Sequence, residues 1–310
     1  MKAAQFKDYG DPSVMVINEV EKPAAGPGRV LVEVQAASIN PFDDKLRAGV
    51  YRAGIHLNLP VTAGGDLAGV VAGVGAGVEG LKLGDKVYGQ AAAVAGNSGA
   101  FAEFAVTTAD QLAVAPNKVN MVAAGALPLV GVSAVQALTV HLQLERGQKL
   151  LIQGGTGGIG QVAVQLAKHL GAQVAVTTSA ADTDFARELG ADVVVDYTKR
   201  RFEDVVRDYD AVFDTVGGEV FERSLRMLRR GGVAVSMGPV DSELAAKLGV
   251  TAIGQHTKVN TAMLDKLREL VDGGVVKVRI DSTFKLEEVR EAFEKFEHGA
   301  RGKVVFSLSR

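Results

Sequence analysis

Gly154, Gly157 and Gly160 stand three residues apart, directly after the apolar run Leu150-Leu151-Ile152-Gln153. A helical pattern then opens, with Val162, Leu166 and Leu170 at fourfold spacing. Strand, tight turn and helix in that order make an anion site. Side chains at these positions would keep a pyrophosphate away from the backbone N–H groups at the helix start. The spacing is a variant of the dinucleotide fingerprint rather than its strict form. The alternative is an ordinary glycine-rich turn. Residues 173–178 supply the second strand of the unit, and that context favours a nucleotide site.

The elements that must carry this turn follow in regular alternation. Strands are expected at 193–196, 211–214, 232–236 and, as an edge, 250–254; helices are expected at 183–189, 202–207, 220–228 and 263–271. Continuous apolar strands between amphipathic helices predict an α/β unit, a doubly wound parallel sheet covered on both faces. Residues 1 to about 120 instead look β-rich, with strands at 30–36, 69–78, 85–89 and 101–106. Residues 90–99 are small and polar and read as a loop over a site. At the C-terminal end, 286–296 reads as a helix with Val289, Phe293 and Phe296 on one face. A last strand at 303–307 is expected to rejoin the β-rich part.

Composition narrows the chemistry further. The 310 residues suffice for two domains, each with its own core. A net charge of -2 gives no general attraction to nucleic acid or anionic membrane. The absence of cysteine excludes disulfides, a thiol nucleophile and cysteine-ligated metal. His56, His141, His169, His256 and His298 show no metal spacing, and Gly131-Val132-Ser133-Ala134 is not a nucleophile elbow. The N-terminal residues lack the apolar core of a signal peptide, so a cytoplasmic location is expected. Residues 119–144 are uncharged apart from His141 and long enough to span a bilayer. Pro128 and the small and polar residues favour two buried helices over a membrane span.

Several blocks, in order, resemble the medium-chain dehydrogenase/reductase superfamily, in its zinc-independent, zeta-crystallin-like NADPH:quinone oxidoreductase family. They are Ala36 through Gly49, Pro60 through Val71, Gly99 through Phe104, Ala123 through Ala134, the glycine turn, Leu189-Gly190-Ala191-Asp192 with Asp196-Tyr197, and Gly302-Lys303-Val304-Val305. The resemblance implies a GroES-like, mostly β catalytic domain over 1–121, completed by 275–310. A Rossmann domain over 122–274 would be inserted into it. It also implies hydride transfer to a quinone or an α,β-unsaturated carbonyl held in a cleft between the domains, and it leaves a homodimer open. A 2-enoyl-thioester reductase and a non-catalytic NADPH-binding protein are the alternatives.

Zinc-dependent relatives place a Cys where this chain has Asn40 and a His where it has Gly65, and their four-cysteine loop is missing here. Asp66 alone cannot hold a metal, so none is expected. Reduction of a conjugated acceptor needs none, because a few hydrogen bonds can stabilise the delocalised charge.

The cofactor expected is NADP(H). NAD sites end the second strand with an acid that binds the ribose 2′-hydroxyl. Here Thr177-Thr178-Ser179 leaves space for a 2′-phosphate and can donate to it. Asp182 stands where some NADP-using relatives have Lys; its other reading is a solvent-facing helix N-terminal residue. Lys199, Arg200 and Arg201 either offset that missing Lys or form a solvated basic turn. By resemblance the cofactor-binding residues are Gly154, Thr156, Gly157, Gly158, Ile159, Thr178, Ser179, Tyr197, Val216, Gly238, Pro239 and Lys303.

Asn40 and Tyr51 are the catalytic candidates by resemblance. Asn40 would lie beside the nicotinamide or the substrate carbonyl; its other reading stabilises the turn before Pro41. Tyr51 is either a proton donor or an aromatic closing the cleft. A phenol keeps its proton at neutral pH and can pass it to an enolate. Ser133 is either a nicotinamide neighbour or a buried helix serine. Asp43 and Arg47, one helical turn apart, are expected to form a structural ion pair, and Phe101 with residues 90–99 to shape the pocket.

Overall fold

The computed structural model describes residues 1–308. It divides into two compact units. One contains Met1–Leu129, Val259–Asp272 and the C-terminal stretch from Val278; the other contains Val130–Lys258 and Gly273–Lys277.

The first unit begins with β1 (Lys2–Phe6), β2 (Met15–Glu19), β3 (Arg29–Ser38), α1 (Pro41–Arg47), β4 (Val61–Thr62), β5 (Asp66–Val74), β6 (Lys86–Gln90), β7 (Phe104–Thr108), β8 (Leu112–Val114) and α2 (Met121–Gly125). Strands β2, β1 and β4 make a small antiparallel sheet. β3 lies inside a seven-stranded sheet, paired with both β5 and β7. That central place explains why Val30, Leu31, Val32, Val34, Ala36 and Ala37 are all buried, where a one-faced strand would alternate.

The second unit takes most of α3 (Pro128–Val135), which runs into a π-helical stretch at Gln136–His141. Then come β9 (Lys149–Gln153), α4 (Gly158–His169), β10 (Gln173–Thr178), α5 (Thr183–Glu188), β11 (Val193–Asp196), β12 (Tyr209–Asp214), α6 (Glu219–Leu225), β13 (Leu228–Ser236), α7 (Ser242–Leu248) and β14 (Thr251–Gly254). The six strands are parallel in the order β11-β10-β9-β12-β13-β14. The order reverses beside β9, and such switch points open a crevice at the carboxyl ends of the strands.

The chain then returns to the first unit with α8 (Thr261–Asp272), β15 (Ile280–Phe284), α9 (Val289–Glu297) and β16 (Lys303–Ser307). β16 rejoins the β-rich unit as expected, pairing antiparallel with β3. Helix α8 departs from expectation. Its pattern reads as part of the nucleotide domain over 122–274, yet it belongs to the first unit. Leu264, Leu267 and Val271 are buried, Thr261 Oγ1 donates to the Leu112 carbonyl at 2.7 Å, and Tyr88 donates to the Leu264 carbonyl. An amphipathic stripe states that a helix covers something, but not which sheet it covers.

Phe101 also departs from expectation. It is fully buried, with its ring centroid 4.8 Å from Phe306 and 6.2 Å from Phe293 in edge-on contacts. It therefore builds the core of the first unit. Among the described residues no helix is long and apolar enough to cross a membrane.

Candidate functional site

In the second unit the glycine turn closes tightly on itself. Gly154 has φ +75°, a backbone state that favours glycine. A Cβ added at Gly160 would meet the Gly154 carbonyl oxygen at 2.1 Å, and one at Gly155 would meet Val176 at 2.5 Å. These two glycines are needed for packing between turn, helix and strand. Gly157 differs: a Cβ there would meet only the Gly154 oxygen, at 3.4 Å. Gly157 is the N-cap of the twelve-residue α4, and no side chain caps that end. The helix start, with Gly158 and Ile159 in its first turn, is therefore open to an anion.

Around this turn the strand ends are held by buried polar side chains. Thr177 Oγ1 donates to Gln153 Oε1 at 2.6 Å and accepts from the Gly154 N–H at 3.1 Å. Thr156 and Thr178 share a hydroxyl–hydroxyl bond of 2.5 Å. Both threonines that end β10 are buried and turned onto the glycine loop, which leaves Ser179 as the more open hydroxyl there. Asp214 accepts from Ser236 Oγ at 2.7 Å and from the Gly217 N–H at 2.9 Å. Burial raises its carboxyl above the ordinary range, against those bonds. It fixes the loop carrying Val216, which is 58 % exposed, and a Cβ at Gly238, next to Pro239, would meet Gly217 Cα at 3.8 Å. Tyr197, after β11, is 62 % exposed. The cofactor-binding candidates from Gly154 to Ile159, together with Thr178, Val216 and Gly238, thus stand on loops at the carboxyl ends of β9, β10, β12 and β13. This is where an open parallel sheet binds a dinucleotide.

Two charged candidates sit otherwise than expected. Asp182 starts α5 but is only 7 % exposed, so it does not face solvent. The basic turn is engaged locally: Lys199 with Asp196 at 3.5 Å, Arg201 with Glu203 at 3.3 Å, and Arg200 toward the Asp204 carbonyl at 3.5 Å.

In the first unit a polar row crosses the sheet. Register places Ser38 of β3 opposite Asp66 of β5 and opposite Val305 of β16, and Asp66 opposite Gln90 of β6. Two residues past Ser38 stands Asn40, and two before Val305 stands Lys303, both buried. Lys303 Nζ donates to Asn40 Oδ1 at 2.5 Å and to the Ile39 carbonyl at 2.9 Å. Asn40 Nδ2 donates to Asp66 Oδ2 at 2.9 Å, and Gln90 Nε2 donates to Asp66 Oδ1 at 2.8 Å. The Leu129 N–H reaches both Asp66 oxygens at 3.1 Å. The Asn40 N–H donates to Asp43 Oδ2 at 2.8 Å, half of a capping box at the start of α1. Asp43, Asp66 and Lys303 are thus three buried ionisable groups around one amide.

Desolvation dominates their protonation. Burial pushes the Asp43 carboxyl up to about 7; the Asn40 N–H and Lys303 oppose the rise and Asp66 adds to it. Burial raises Asp66 too, against Lys303, Gln90, Asn40 and Leu129. Burial lowers Lys303, against the two carboxylates. The residue types at 40 and 303 could be singled out from sequence. The row could not, because it exists only through strand register.

Tyr51 is half-buried and stacks on Phe42, with centroids 5.3 Å apart and 24° between ring planes. Ser133 Oγ lies 2.7 Å from Thr257 Oγ1. The expected ion pair between Asp43 and Arg47 does not form. Arg47 is fully buried, donates to the Gly10 carbonyl, and pairs with Asp44 at 2.6 Å and Glu297 at 2.5 Å. Asp43 is instead drawn back to the Asn40 N–H at its own helix start.

Comparison with known proteins agrees with this geometry. Residues 26–117 match the family model described as alcohol dehydrogenase GroES-like domain, and residues 189–306 match the one described as zinc-binding dehydrogenase. The chain is 35 % identical to the 2-methylene-furan-3-one reductase of Solanum lycopersicum, over 98 % of this chain and 78 % of that protein. It is 34 % identical to the chloroplastic NADPH-dependent alkenal/one oxidoreductase of Arabidopsis thaliana, over 98 % and 79 %. The quinone oxidoreductase structure from Coxiella burnetii superposes with a TM-score of 0.91 at 32 % identity, covering 100 % of this chain and 99 % of that one.

A zinc ion, implied by the description of one family model, does not fit the polar row. Position 65 offers no side chain, Asp66 already accepts from Asn40, Gln90 and Leu129, and the Lys303 ammonium brings its own positive charge to Asn40. Among the described residues no three His, Cys, Asp or Glu side chains gather as a metal cage. A dinucleotide does fit the start of α4, where Gly157 and Gly158 carry no side chain and none caps the helix. With a GroES-like unit, a parallel nucleotide sheet, and relatives covered over most of their length, the chain belongs to the quinone oxidoreductase family of the medium-chain dehydrogenase/reductase superfamily of oxidoreductases.

Proposed function

We propose that this protein is an NADPH-dependent reductase of quinones and α,β-unsaturated carbonyls, acting without a metal. The observation that carries the reading is the uncapped α4 start at the carboxyl edge of a parallel sheet, in a chain similar to an NADPH-dependent alkenal/one oxidoreductase. When bound, the dinucleotide supplies a hydride. The backbone N–H groups of the glycine turn would hold its diphosphate. NADPH is preferred over NADH because Thr177-Thr178-Ser179, at and just past the end of β10, present no carboxylate to repel a 2′-phosphate. With its amide oxygen tied to Lys303 and one amide N–H on Asp66, Asn40 would offer its second N–H to a carbonyl. For an enone, the Asn40 N–H would stabilise the negative charge that develops on the carbonyl oxygen. The Tyr51 hydroxyl would give a proton to the α-carbon, and solvent would restore it to the phenolate. A cytoplasmic location and a homodimer belong to the same reading.

The test is NADPH oxidation against a panel of quinones and short enals, with NADH in parallel. Turnover of both acceptor classes with NADPH preferred supports the proposal. Turnover confined to enoyl thioesters would replace it with a 2-enoyl-thioester reductase. Cofactor binding without turnover of any acceptor would leave a non-catalytic binding protein.

A further inference from the structure

The polar row of the first unit has a polarity that the capping reading of Asn40 does not require. An ammonium only donates and a carboxylate only accepts. The side chain of Asn40 lies between one of each, with Oδ1 at Lys303 Nζ and Nδ2 at Asp66 Oδ2. Its two amide ends are therefore assigned by chemistry. Reversing the amide would set Nδ2 against an ammonium and Oδ1 against a carboxylate, both repulsive. A turn asparagine would need neither neighbour, and placing three ionisable groups out of water around it is costly unless they are paired.

We propose that Lys303 is a positioning residue: its buried ammonium, bonded to Asn40 Oδ1 and the Ile39 carbonyl, fixes the Asn40 amide so that only its N–H end can face a ligand carbonyl. This rests on the proposed role of Asn40 as a donor. Lys303 was expected to bind cofactor directly, but its nitrogen is turned inward to these two oxygens and is buried. Asp66 acts with it from the other side of the amide, and Gln90 and the Leu129 N–H keep Asp66 in place. Asp43, whose buried carboxyl is raised to about 7, holds the Asn40 backbone.

The inference separates Lys303 from a simple packing role through its protonation partner. With Lys303 replaced by Met, Asp66 loses its cation and becomes easier to protonate. A protonated Asp66 can donate to Asn40 Oδ1, and the amide loses its fixed sense. The loss should therefore be largest at low pH and shrink as Asp66 ionises.

The experiment uses the full chain with Lys303→Met, Lys303→Arg and the double variant Lys303→Met/Asp66→Asn. One readout is the Asn40 side-chain amide pair in proton–nitrogen spectra, assigned by its loss in Asn40→Asp. The other is steady-state reduction of a quinone and an enal from pH 6 to pH 9, with the NADPH dissociation constant from fluorescence. We expect slowed amide exchange in the wild type and faster exchange in Lys303→Met. We also expect kcat about tenfold lower near pH 6, with partial recovery toward pH 9, an NADPH constant within about twofold, and partial rescue by Lys303→Arg. If Lys303→Met does not fold, the double variant, which removes both buried charges, carries the amide-exchange and kcat readouts, and its kcat loss should lack the pH recovery because position 66 no longer ionises. Unchanged amide exchange with unchanged kcat would overturn the proposal. So would a tenfold weaker NADPH constant at unchanged kcat, which would make Lys303 a cofactor ligand. A wild type that reduces no acceptor would defeat the proposed function alone, because the amide exchange still decides the role of Lys303.

Discussion

Thr178 turns its hydroxyl onto Thr156, 2.5 Å away, so the residue that ends β10 braces the glycine turn instead of facing outward. In the proposed function, selection between the two nicotinamide cofactors would then fall to Ser179. Ser179→Asp places a carboxylate where a 2′-phosphate would lie. It should raise the KM for NADPH at least about tenfold and leave that for NADH unchanged or lower. Thr178→Val should weaken both cofactors equally, because it acts through the turn. Parallel KM measurements with the two cofactors check both statements.

The glycines of the turn should divide by the space around them. Gly160→Ala drives a Cβ into the Gly154 carbonyl, so it should lower stability by about 2–3 kcal/mol, in the range for overpacking. Gly157→Ala meets nothing closer than 3.4 Å and has an extended backbone at the helix N-cap. It should leave the melting temperature almost unchanged, yet weaken NADPH binding about tenfold by covering the amides of the α4 start. Thermal melts set beside fluorescence titrations test the contrast. A Gly157→Ala protein that binds NADPH normally would move the diphosphate away from this turn.

Much of the second unit is legible in sequence because a βα repeat is local: each strand, turn and helix states its own period. The glycine turn, the strands near 193–196 and 211–214, and the return of 303–307 to the β-rich part all follow from such patterns. What stays hidden is set by partners distant in the chain. Arg47 takes Glu297 from α9, 250 residues away, while the helical spacing points to Asp43. Phe101 reads as a strand residue that shapes the pocket until Phe293 and Phe306 arrive from the C-terminal elements to bury it. The polar row is hidden for the same reason. Asn40, Asp66, Gln90 and Lys303 each sit at or just beyond the end of an apolar strand, where a polar residue reads as a loop boundary.

Asp43 should make stability depend on pH in the direction opposite to a salt-bridged carboxylate. Its ordinary value is 3.8 and its folded value about 7, with Asp66 and Lys303 the charged groups facing it. Between those limits the folded protein keeps a proton that the unfolded chain has released. Stability therefore falls as pH rises from about 4 to about 7 and levels off above, by on the order of 4 kcal/mol at most from this group. Asp43→Asn keeps an acceptor for the Asn40 N–H and removes the titration. Urea unfolding at pH 5 and pH 8 should show a smaller difference for the variant than for the wild type. Equal differences would assign the slope to other groups.

Tyr51→Phe isolates the hydroxyl, because the stack on Phe42 survives the change. The two acceptor classes place different demands on that hydroxyl. A reduced quinone leaves oxygen anions that water protonates readily, whereas an enolate must take a proton at carbon before the saturated product is released. If Tyr51 is the donor, kcat for an enal should fall about 100-fold, within the range for losing a general acid. Reduction of a benzoquinone should fall by less than about fivefold, and NADPH affinity should not move. Running the reaction in deuterated water adds a second check: the wild type should place deuterium on one face of the α-carbon, and Tyr51→Phe should lose that preference. Unchanged kcat and unchanged facial selectivity together would reduce Tyr51 to an aromatic that closes the site, and would pass the proton to solvent.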